Sequence, residues 1–331
     1  MKYFKSFQED ILNLNIKNFE EKALELFYFQ ARYNVIYKEY IKYRGISVYS
    51  IRKIEDIPFL PIRFFKDFPV VCGEMSLFKG YYSSSGTTGA ITSRHYYWSE
   101  EFYLNHSINL FEKEYGNIKN YHILSLLPSY LERKGSSLVH MAEHLIQKSG
   151  SEFSGFYLYN HKDLIKTLEF LKMDKKKVIL LGVTFALLDL VEGKLDLPFM
   201  ENLIVMETGG MKGRRKEMIR EEVHSILKKS FRKKQIHSEY GMTELMSQAY
   251  SKSDGKYNIP FTMRVMVRDI NDPFSYSNRK QGGINIIDLA NFHSCAFIET
   301  QDLGTLDSQN RLEILGRFDN SEIRGCNLMV N

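Results

Sequence analysis

The sequence predicts an α/β protein, with helices packed on the faces of a sheet and a smaller β-rich part after it. Two observations predict the first part: between about residues 100 and 235, short apolar runs alternate with stretches of helical spacing. A third observation predicts the second part, because after about residue 250 apolar runs follow one another with Gly and Asn turns between them. The 331 residues are 44% hydrophobic, which is enough for a sizeable core.

The first 45 residues predict helix. Asn18 and Glu21 have the spacing of an N-cap pair, and apolar residues follow at helical spacing. Gly45 predicts the end of this helical region. The next segment, IPFLPIRFFKDF at 57–68, predicts extended chain packed down by its phenylalanines, because its two prolines exclude a regular helix.

In the middle of the chain, the alternation of strands and helices is predicted as follows. Apolar runs predict strands at 121–127, 177–182 and 202–207. The stretches of helical spacing predict helices at 100–115, 136–149, 161–172, 184–192 and 212–230. The later runs FTMRVMVRDI, GGINIIDLA and CAFIETQDLG predict β structure.

The sequence shows no internal repeat and no clean linker that would divide it into domains. We expect one domain over 1–331. Its α/β part runs to about residue 250, its β-rich subdomain covers about 251–316, and a tail occupies 317–331.

Charge favours a small anionic ligand over a nucleic acid. The net charge of +5 is mild. The basic runs at 212–216 and 228–234 lie among apolar residues at helical spacing, so they predict a solvated helix face. No nucleic-acid partner is expected.

The cysteines and the N-terminus predict a cytoplasmic protein. Cys72, Cys295 and Cys326 form an odd set without a C-x-x-C motif, which excludes a disulfide framework and a thiol zinc site. Charged residues stand where a signal peptide needs an apolar run. The longest apolar run, 178–188, is too short to span a bilayer, which takes about 20 residues.

One short segment is rich in hydroxyls and glycines. YYSSSGTTGAITSR, at 81–94, fits a loop that holds phosphate, because glycine lets backbone N–H groups turn toward an anion and hydroxyls donate to it. It also fits a flexible surface linker. It is not a Walker A loop, because no Gly-Lys-Ser/Thr follows.

Three later segments favour the phosphate-binding loop over the linker, because of the order and spacing in which they follow it. HSEYGMTEL at 237–245 follows a predicted strand, and ETQDLG at 299–304 ends a β run with an acidic residue before glycine. LEILGRFD at 312–319 places Gly316-Arg317 and Asp319 after another apolar run.

Together these segments resemble the adenylate-forming superfamily of acyl-CoA synthetases and their relatives. The resemblance implies the large N-terminal domain of such enzymes, with helices layered on sheets and a β-rich subdomain. Its motifs match, in turn, a phosphate loop at 84–89, an adenine-stacking TGG at 208–210, a central YGMTE at 240–244, a ribose-binding Asp302 and a hinge at Gly316-Arg317-x-Asp319.

This chain departs from the family pattern at three places. Family members usually carry Pro-Lys after the phosphate loop, whereas here Arg94 is the first cation. The ribose motif reads Thr300-Gln301-Asp302 instead of Thr-Gly-Asp. The chain ends at Asn331, near the hinge, without the small C-terminal domain and its catalytic lysine.

A narrower resemblance, to LuxE-type acyl-protein synthetases, fits that early end. It rests on IPFLPIRFFK, SSSGTTG–SRH, SYLERKGSSLVHM and SEIRGCNLMV. It implies an enzyme that activates a carboxylic acid, expected to be a fatty acid, as an acyl-adenylate. The acyl group then passes to Cys326 as a thioester and on to a partner such as an acyl reductase.

The resemblance also implies roles for individual residues, with ATP and Mg²⁺ as cofactors. Thr243 would contact the α-phosphate, Glu244 would hold Mg²⁺, and Arg317 would add positive charge. The remaining nucleotide-binding residues it implies are Ser84, Ser85, Gly86, Thr87, Thr88, Gly89, Gly209, Gly210, Tyr240, Gly241, Met242 and Asp302.

The sequence also fits other functions and sites. The chain could be an acid–CoA or acid–carrier-protein ligase without self-acylation, or a non-catalytic nucleotide-binding subunit. HMAEH at 140–144 has the H-x-x-E-H spacing of a zinc site, and also fits histidines that pack in a helix or line an acyl pocket. His237 fits either the nucleotide site or a strand end.

Overall fold

The computed structural model describes residues 2–84, 92–127, 135–157, 160–193, 195–209, 218–270, 272, 274–276 and 281–318. Its α-helices are α1 Lys2–Leu12, α2 Phe19–Tyr33, α3 Val35–Tyr43, α4 Phe64–Asp67, α5 Glu100–Tyr115, α6 Ser137–Ser149, α7 His161–Leu171, α8 Thr184–Glu192 and α9 Arg220–Phe231. Its strands are β1 Leu60–Pro61, β2 Gly80–Ser83, β3 Arg94–Tyr97, β4 Tyr121–Leu126, β5 Gly155–Phe156, β6 Lys177–Val183, β7 Leu203–Thr208, β8 His237–Tyr240, β9 Ala249–Ser251, β10 Lys256–Tyr257, β11 Met263–Arg268, β12 Gln281–Asp288, β13 Phe297–Leu306 and β14 Leu312–Arg317.

The α/β part is built on a sheet with strand order β5-β4-β6-β7-β8-β9. Neighbours are parallel from β5 to β8, and β9 is antiparallel to β8. Every residue of β4 is buried, and so is all of β6 after its first residue. Such strands read as continuous apolar runs because helices cover both faces of the sheet, and this is why the sequence predicted them correctly.

The second sheet has strand order β10-β14-β13-β12-β11, and β1 pairs with β13. This last pairing is parallel, with Leu60 opposite Ile298. The β-rich texture predicted after residue 250 is confirmed.

The N-terminal helices pack against the loop between β12 and β13. On α2, the Gln30 amide nitrogen donates to the carbonyl oxygen of Asn291 at 2.9 Å. Asn34 donates to the carbonyl of Ser294 at 2.9 Å. The N-terminal helices therefore stabilise the β12–β13 loop of the second sheet. The residues of the candidate site come from both sheets.

Two local predictions near the N-terminus were wrong. Asn18 makes no side-chain cap bond, because its amide oxygen accepts from the backbone N–H of Asn15 at 2.8 Å instead. The segment 57–68 is not extended throughout: it pairs as a strand only over the two residues of β1. Past Pro61 the chain turns into α4, where the Phe68 N–H donates to the Phe64 carbonyl at 2.8 Å.

The predicted helix at 212–230 is described only in part. Its described part is α9, which begins at Arg220 and buries Val223 and Leu227. Residues 210–217, including the basic run at 212–216, lie outside the described residues.

Cys72 and Cys295 are fully buried, and burial raises the pKa of both thiols. They serve as small core residues. Within the described parts of the chain, no helix is both long and apolar enough to cross a membrane.

Candidate active site

The predicted phosphate loop, 84–89, lies in the sequence between β2 and β3, which pair as an antiparallel hairpin. Where the strands end, the Ser84 N–H donates to the Ser93 carbonyl at 3.1 Å, and the Ser93 N–H donates to the Ser84 hydroxyl at 3.0 Å. These two bonds fix both ends of the loop. Ser85, Gly86, Thr87, Thr88 and Gly89 lie outside the described residues.

Three predicted residues from distant segments meet at one carboxylate. Asp302 on β13 accepts from the Tyr240 hydroxyl at 2.7 Å and from the Arg317 Nε–H at 3.2 Å. Asp302 and Arg317 are also opposite each other in the β13–β14 register. Asp302 is buried, whereas 62% of the Arg317 side chain is exposed. The cluster therefore offers a buried acceptor beneath a solvent-facing cation.

Thr243 is held by a histidine that the sequence analysis did not identify. His95 Nδ1 lies 2.9 Å from the Thr243 carbonyl oxygen, so this nitrogen carries the proton and donates. Nε2 then accepts from the Ser294 hydroxyl at 2.7 Å. Burial lowers the pKa of His95 to about 4, so the ring is neutral at pH 7.

Glu244 is buried beside the base of the hairpin. Burial raises the pKa of its carboxyl, and the hydrogen bond from Ser93 opposes that rise. The charges of Arg317 and Lys66 act in the same direction as Ser93. This carboxylate therefore links the hairpin to the Asp302 cluster electrostatically.

The donor set around Glu244 fits Mg²⁺ in kind. This ion prefers oxygen ligands and is commonly held by one or two carboxylates together with substrate phosphates. Glu244 supplies one carboxylate, and the Ser93 hydroxyl is its hydrogen-bond partner. Among the described residues there is no cluster of three or more His, Cys, Asp or Glu side chains that would form a self-sufficient metal cage.

A buried polar clamp holds the segment that follows Glu244. Asp288 accepts from the backbone N–H groups of Met246 at 3.0 Å and Ser247 at 2.9 Å, and from the Ser247 hydroxyl at 2.7 Å. Asn291 donates to the Glu244 carbonyl at 2.7 Å. We call Asp288 and Asn291 the β12 clamp. Tyr240 belongs to the first sheet and the clamp follows a strand of the second, so the motif bridges the sheets.

The glycines of the two central motifs lie where close approach is needed. Gly209 has φ +67°, a left-handed conformation that favours glycine, and its carbonyl accepts from the Thr184 hydroxyl at 3.0 Å. A Cβ on Gly241 would lie 2.5 Å from Glu239 Oε1. Met242 is half-buried next to it. Gly210 lies outside the described residues.

Arg94, the first cation after the loop, points along the outside of the hairpin. Its guanidinium carbon is 5.3 Å from the centre of the Tyr81 ring. Together with Lys66 and Thr92 it lines a cleft of about 340 Å³ next to α4.

Of the other histidines singled out in the sequence, His140 and His237 have side-chain partners. His140 Nδ1 lies 2.9 Å from a carboxylate oxygen of Glu100, and His144 is half-buried on the same helix, where burial lowers its pKa. His237 Nδ1 bonds to the Tyr115 hydroxyl at 3.0 Å, in the packing between α5 and β8.

His95→Gln is expected to destabilise the protein less at pH 5 than at pH 7.5. The folded-state pKa of about 4 lies below the ordinary 6.5. Protonation therefore favours the unfolded chain, and wild type loses the contribution of this residue as pH falls from 6.5 toward 4. At about 1.4 kcal/mol per pKa unit, the penalty of the substitution should shrink by about 2 kcal/mol. Urea denaturation at both pH values measures it; an unchanged penalty would contradict a neutral buried His95.

Several solved structures resemble this chain in fold. The 2-hydroxyisobutyryl-CoA ligase in its postadenylation state, complexed with 2-HIB-AMP, aligns with a TM-score of 0.65 at 14% identity, over 91% of this chain and 67% of the ligase. ATP-bound MatB from Rhodopseudomonas palustris aligns with a TM-score of 0.52 at 15% identity, over 72% of this chain.

The O-succinylbenzoate-CoA synthetase MenE from Bacillus subtilis, in complex with AMP, aligns with a TM-score of 0.50 at 16% identity, over 75% of this chain and 63% of the synthetase. This chain spans 48% of the length of MatB, about half. No family model matches the sequence, and no curated protein matches it. These structural relatives are adenylate-forming enzymes of the acyl-CoA synthetase type. The chain therefore has the mixed α/β fold of the large N-terminal domain of adenylate-forming enzymes.

Proposed function

We propose that this protein activates a carboxylic acid with ATP and transfers the acyl group to its own Cys326. One observation carries the first part of the proposal, the activation by ATP. Asp302, Tyr240 and Arg317 come from three separate segments and meet at one carboxylate, beside the carboxyl ends of β7 and β8. In open α/β sheets this edge is where ligands bind.

In the first step, a carboxylate oxygen of the acid attacks the α-phosphorus of ATP. A P–O bond to the acid forms, and the P–O bond to the β-phosphate breaks, which yields acyl-AMP and pyrophosphate. Phosphoryl transfer requires positioning and charge neutralisation. Thr243 would contact the α-phosphate, the 84–89 loop would hold the departing phosphates, and Glu244 would hold Mg²⁺, which spreads the negative charge.

The Asp302 cluster would hold the ribose. Asp302 accepts one hydrogen bond at each carboxylate oxygen, and an ionised carboxylate has about four lone-pair sites, so acceptor capacity remains for ribose hydroxyls. Arg317 is exposed and always charged, which suits contact with a nucleotide. Gly209, Gly210, Tyr240, Gly241 and Met242 would form the adenine side of the site.

In the second step, the Cys326 thiolate attacks the acyl carbonyl. A C–S bond forms, the C–O bond to AMP breaks, and the thiol proton leaves to solvent. Thiolate is the reactive form of cysteine. Cys326 lies outside the described residues, so this step rests on the LuxE-type resemblance. That resemblance also names a fatty acid as the first acid to test, an acyl reductase as the acyl-accepting partner, and the cytoplasm as the setting.

The test is intact-protein mass spectrometry after incubation with ATP, Mg²⁺ and a panel of acids, with wild type and Cys326→Ser in parallel. We expect an ATP-dependent acyl mass on wild type that hydroxylamine removes and that the variant lacks. Peptide mapping supplies an internal control, because the buried Cys72 and Cys295 should stay unmodified.

A second candidate, an acid–CoA or acid–carrier ligase, is favoured by the match to 2-hydroxyisobutyryl-CoA ligase over 91% of this chain. Pyrophosphate release without an adduct, with turnover that depends on added CoA or carrier, would select it. ATP binding without pyrophosphate release would instead indicate a non-catalytic nucleotide-binding subunit.

A further inference from the structure

A line of side chains crosses the carboxyl ends of the strands in the first sheet. Val183, Thr208, Glu239 and Tyr250 are opposite one another in consecutive registers from β6 to β9. We call them the transverse row. Residues aligned in this way point to the same face of a sheet. That face is covered by α5, where Phe111 and Tyr115 contact the Tyr250 ring.

Two buried polar atoms at this row lack partners. Tyr250 is 3% exposed, and its hydroxyl has no hydrogen-bond partner among the described residues. Gln248 is also 3% exposed; its amide nitrogen donates to the Met246 carbonyl at 3.3 Å, while its amide oxygen has no partner in the same set. An unsatisfied buried polar group costs about 1–3 kcal/mol, so each of these requires a reason.

A buried carboxyl belongs to the same row: Glu239 is opposite Tyr250 in the β8–β9 register. Glu239 accepts from the Thr208 hydroxyl through one oxygen, Oε2. Its other oxygen, Oε1, lies 2.5 Å from where a Cβ on Gly241 would be, and Gln248 Cγ lies 3.4 Å from the same point. Both side chains therefore converge on Gly241. Burial raises the pKa of Glu239 to about 7, with the Thr208 hydrogen bond opposing the rise and the charge of Glu207 adding to it.

The row adjoins the proposed nucleotide site. Thr208 directly precedes Gly209, and Glu239 directly precedes Tyr240. The acid must bring its carboxylate to the α-phosphate near Thr243. Because Glu239 Oε1 and Gln248 Cγ both approach Gly241, which is two residues before Thr243, the rest of the acid is expected to lie next to the row.

We propose that Glu239, Gln248 and Tyr250 recognise a hydrogen-bond donor on the acid, so that the substrate is a carboxylic acid bearing a hydroxyl or amino group and not a plain alkyl acid. Glu239 Oε1 and Gln248 Oε1 are both acceptors, so each can accept a hydrogen bond from a donor on the ligand. The Tyr250 hydroxyl can donate or accept and completes the contact. This inference rests on the proposed function and narrows its acid: a fatty acid would have to carry such a group.

The experiment pairs acids of equal carbon number. Short, medium and long plain acids are compared with their hydroxyl- and amino-bearing counterparts, by calorimetric binding and by ATP–pyrophosphate exchange. A site built around a donor rejects the analogue that lacks it, by up to about 10⁴–10⁵-fold. We expect kcat/KM to be at least about tenfold higher for the better donor-bearing acid than for the plain acid of equal carbon number. Comparing the hydroxyl-bearing with the amino-bearing acids shows which of the two donors the site prefers.

Two conservative variants test the residues. Tyr250→Phe and Gln248→Met remove the unpaired groups and keep the volume, so each should lower the preference for the donor-bearing acid several-fold with the melting temperature nearly unchanged. Tyr28→Phe is the matched control, because its hydroxyl donates to the Ile51 carbonyl far from the row. It should leave the preference intact.

The outcomes separate this inference from the proposed function. Exchange that is equal or faster with plain acids would overturn the inference and leave the proposed function standing. Donor-selective binding without exchange would support the inference and contradict the proposed function. Neither binding nor exchange with any acid would contradict both.

Discussion

Glu244→Gln is expected to lower ATP–pyrophosphate exchange by about 10²–10³-fold, the typical loss when one positioned group that stabilises transition-state charge is removed. The carboxylate stands beside the hairpin base, with Ser93 as its hydrogen-bond partner. The amide retains an oxygen that can accept from Ser93 but carries no charge for Mg²⁺. The fold should therefore survive while the charge neutralisation is lost.

Initial exchange rates, measured across a range of Mg²⁺ concentrations, check this. Excess Mg²⁺ should not restore the full rate, because in the proposed mechanism Glu244 binds the ion and the negative charge that it supplies is lost. Glu152→Gln, at an exposed position before β5, is the matched control and should exchange at the wild-type rate. A Glu244→Gln protein with full activity would remove this residue from the proposed mechanism.

Asp288→Ala should produce the largest loss of stability, about 3 kcal/mol or more. Asp288 is fully buried and accepts from two backbone N–H groups and a hydroxyl of the 246–247 segment, and from the Ala290 N–H. Alanine leaves these buried donors without this acceptor, at about 1–3 kcal/mol for each one left unsatisfied. Met246 keeps a second acceptor in Asn291, which limits the loss.

Urea denaturation gives the free energy of unfolding, and Asp196→Ala at an exposed position is the control, expected within about 0.5 kcal/mol of wild type. Exchange kinetics on the surviving folded fraction add a second readout, because the β12 clamp also holds the Glu244 carbonyl through Asn291. A stability loss below about 1 kcal/mol would show that the segment 244–247 is held by other contacts.

The sequence predicted regular elements well where the local pattern was complete. The helix at 100–115 has Ser99 as its cap, accepting from the Phe102 N–H at 3.1 Å, and Gly116 after its last residue. The buried strands β4, β6 and β7 appear as apolar runs because both faces are covered. In these stretches local preference and burial agree.

Prediction failed where partners lie far apart in sequence. The β1 strand is two residues long, and it forms only because β13 supplies the edge almost 240 positions later. The Asn18 cap failed for a different, local reason: its amide oxygen accepts from the backbone N–H of Asn15, three residues earlier. The β1 outcome depends on topology, whereas the Asn18 outcome depends on a competition between two local hydrogen bonds that residue spacing does not decide.

The candidate site divides in the same way. Its motif residues could be named from the sequence because each belongs to a recognisable string. The residues that hold them could not: His95 ends the quoted SRH string but was given no role there, and Asp288, Asn291 and Ser294 sit in no motif. Only the topology brings these four to Thr243 and the 244–247 segment. Their signal is buried polarity, which appears only once burial is known.

The pairing of the chain's beginning with its end has a consequence during synthesis. β1 lacks its partner, and α2 lacks the acceptors at Asn291 and Ser294, until the ribosome has added the residues of the β12–β13 region. At about 5–20 residues per second, that delay lasts some tens of seconds. During this interval the apolar faces of α1 and α2 are exposed to solvent. We therefore expect a chaperone to bind the incomplete chain.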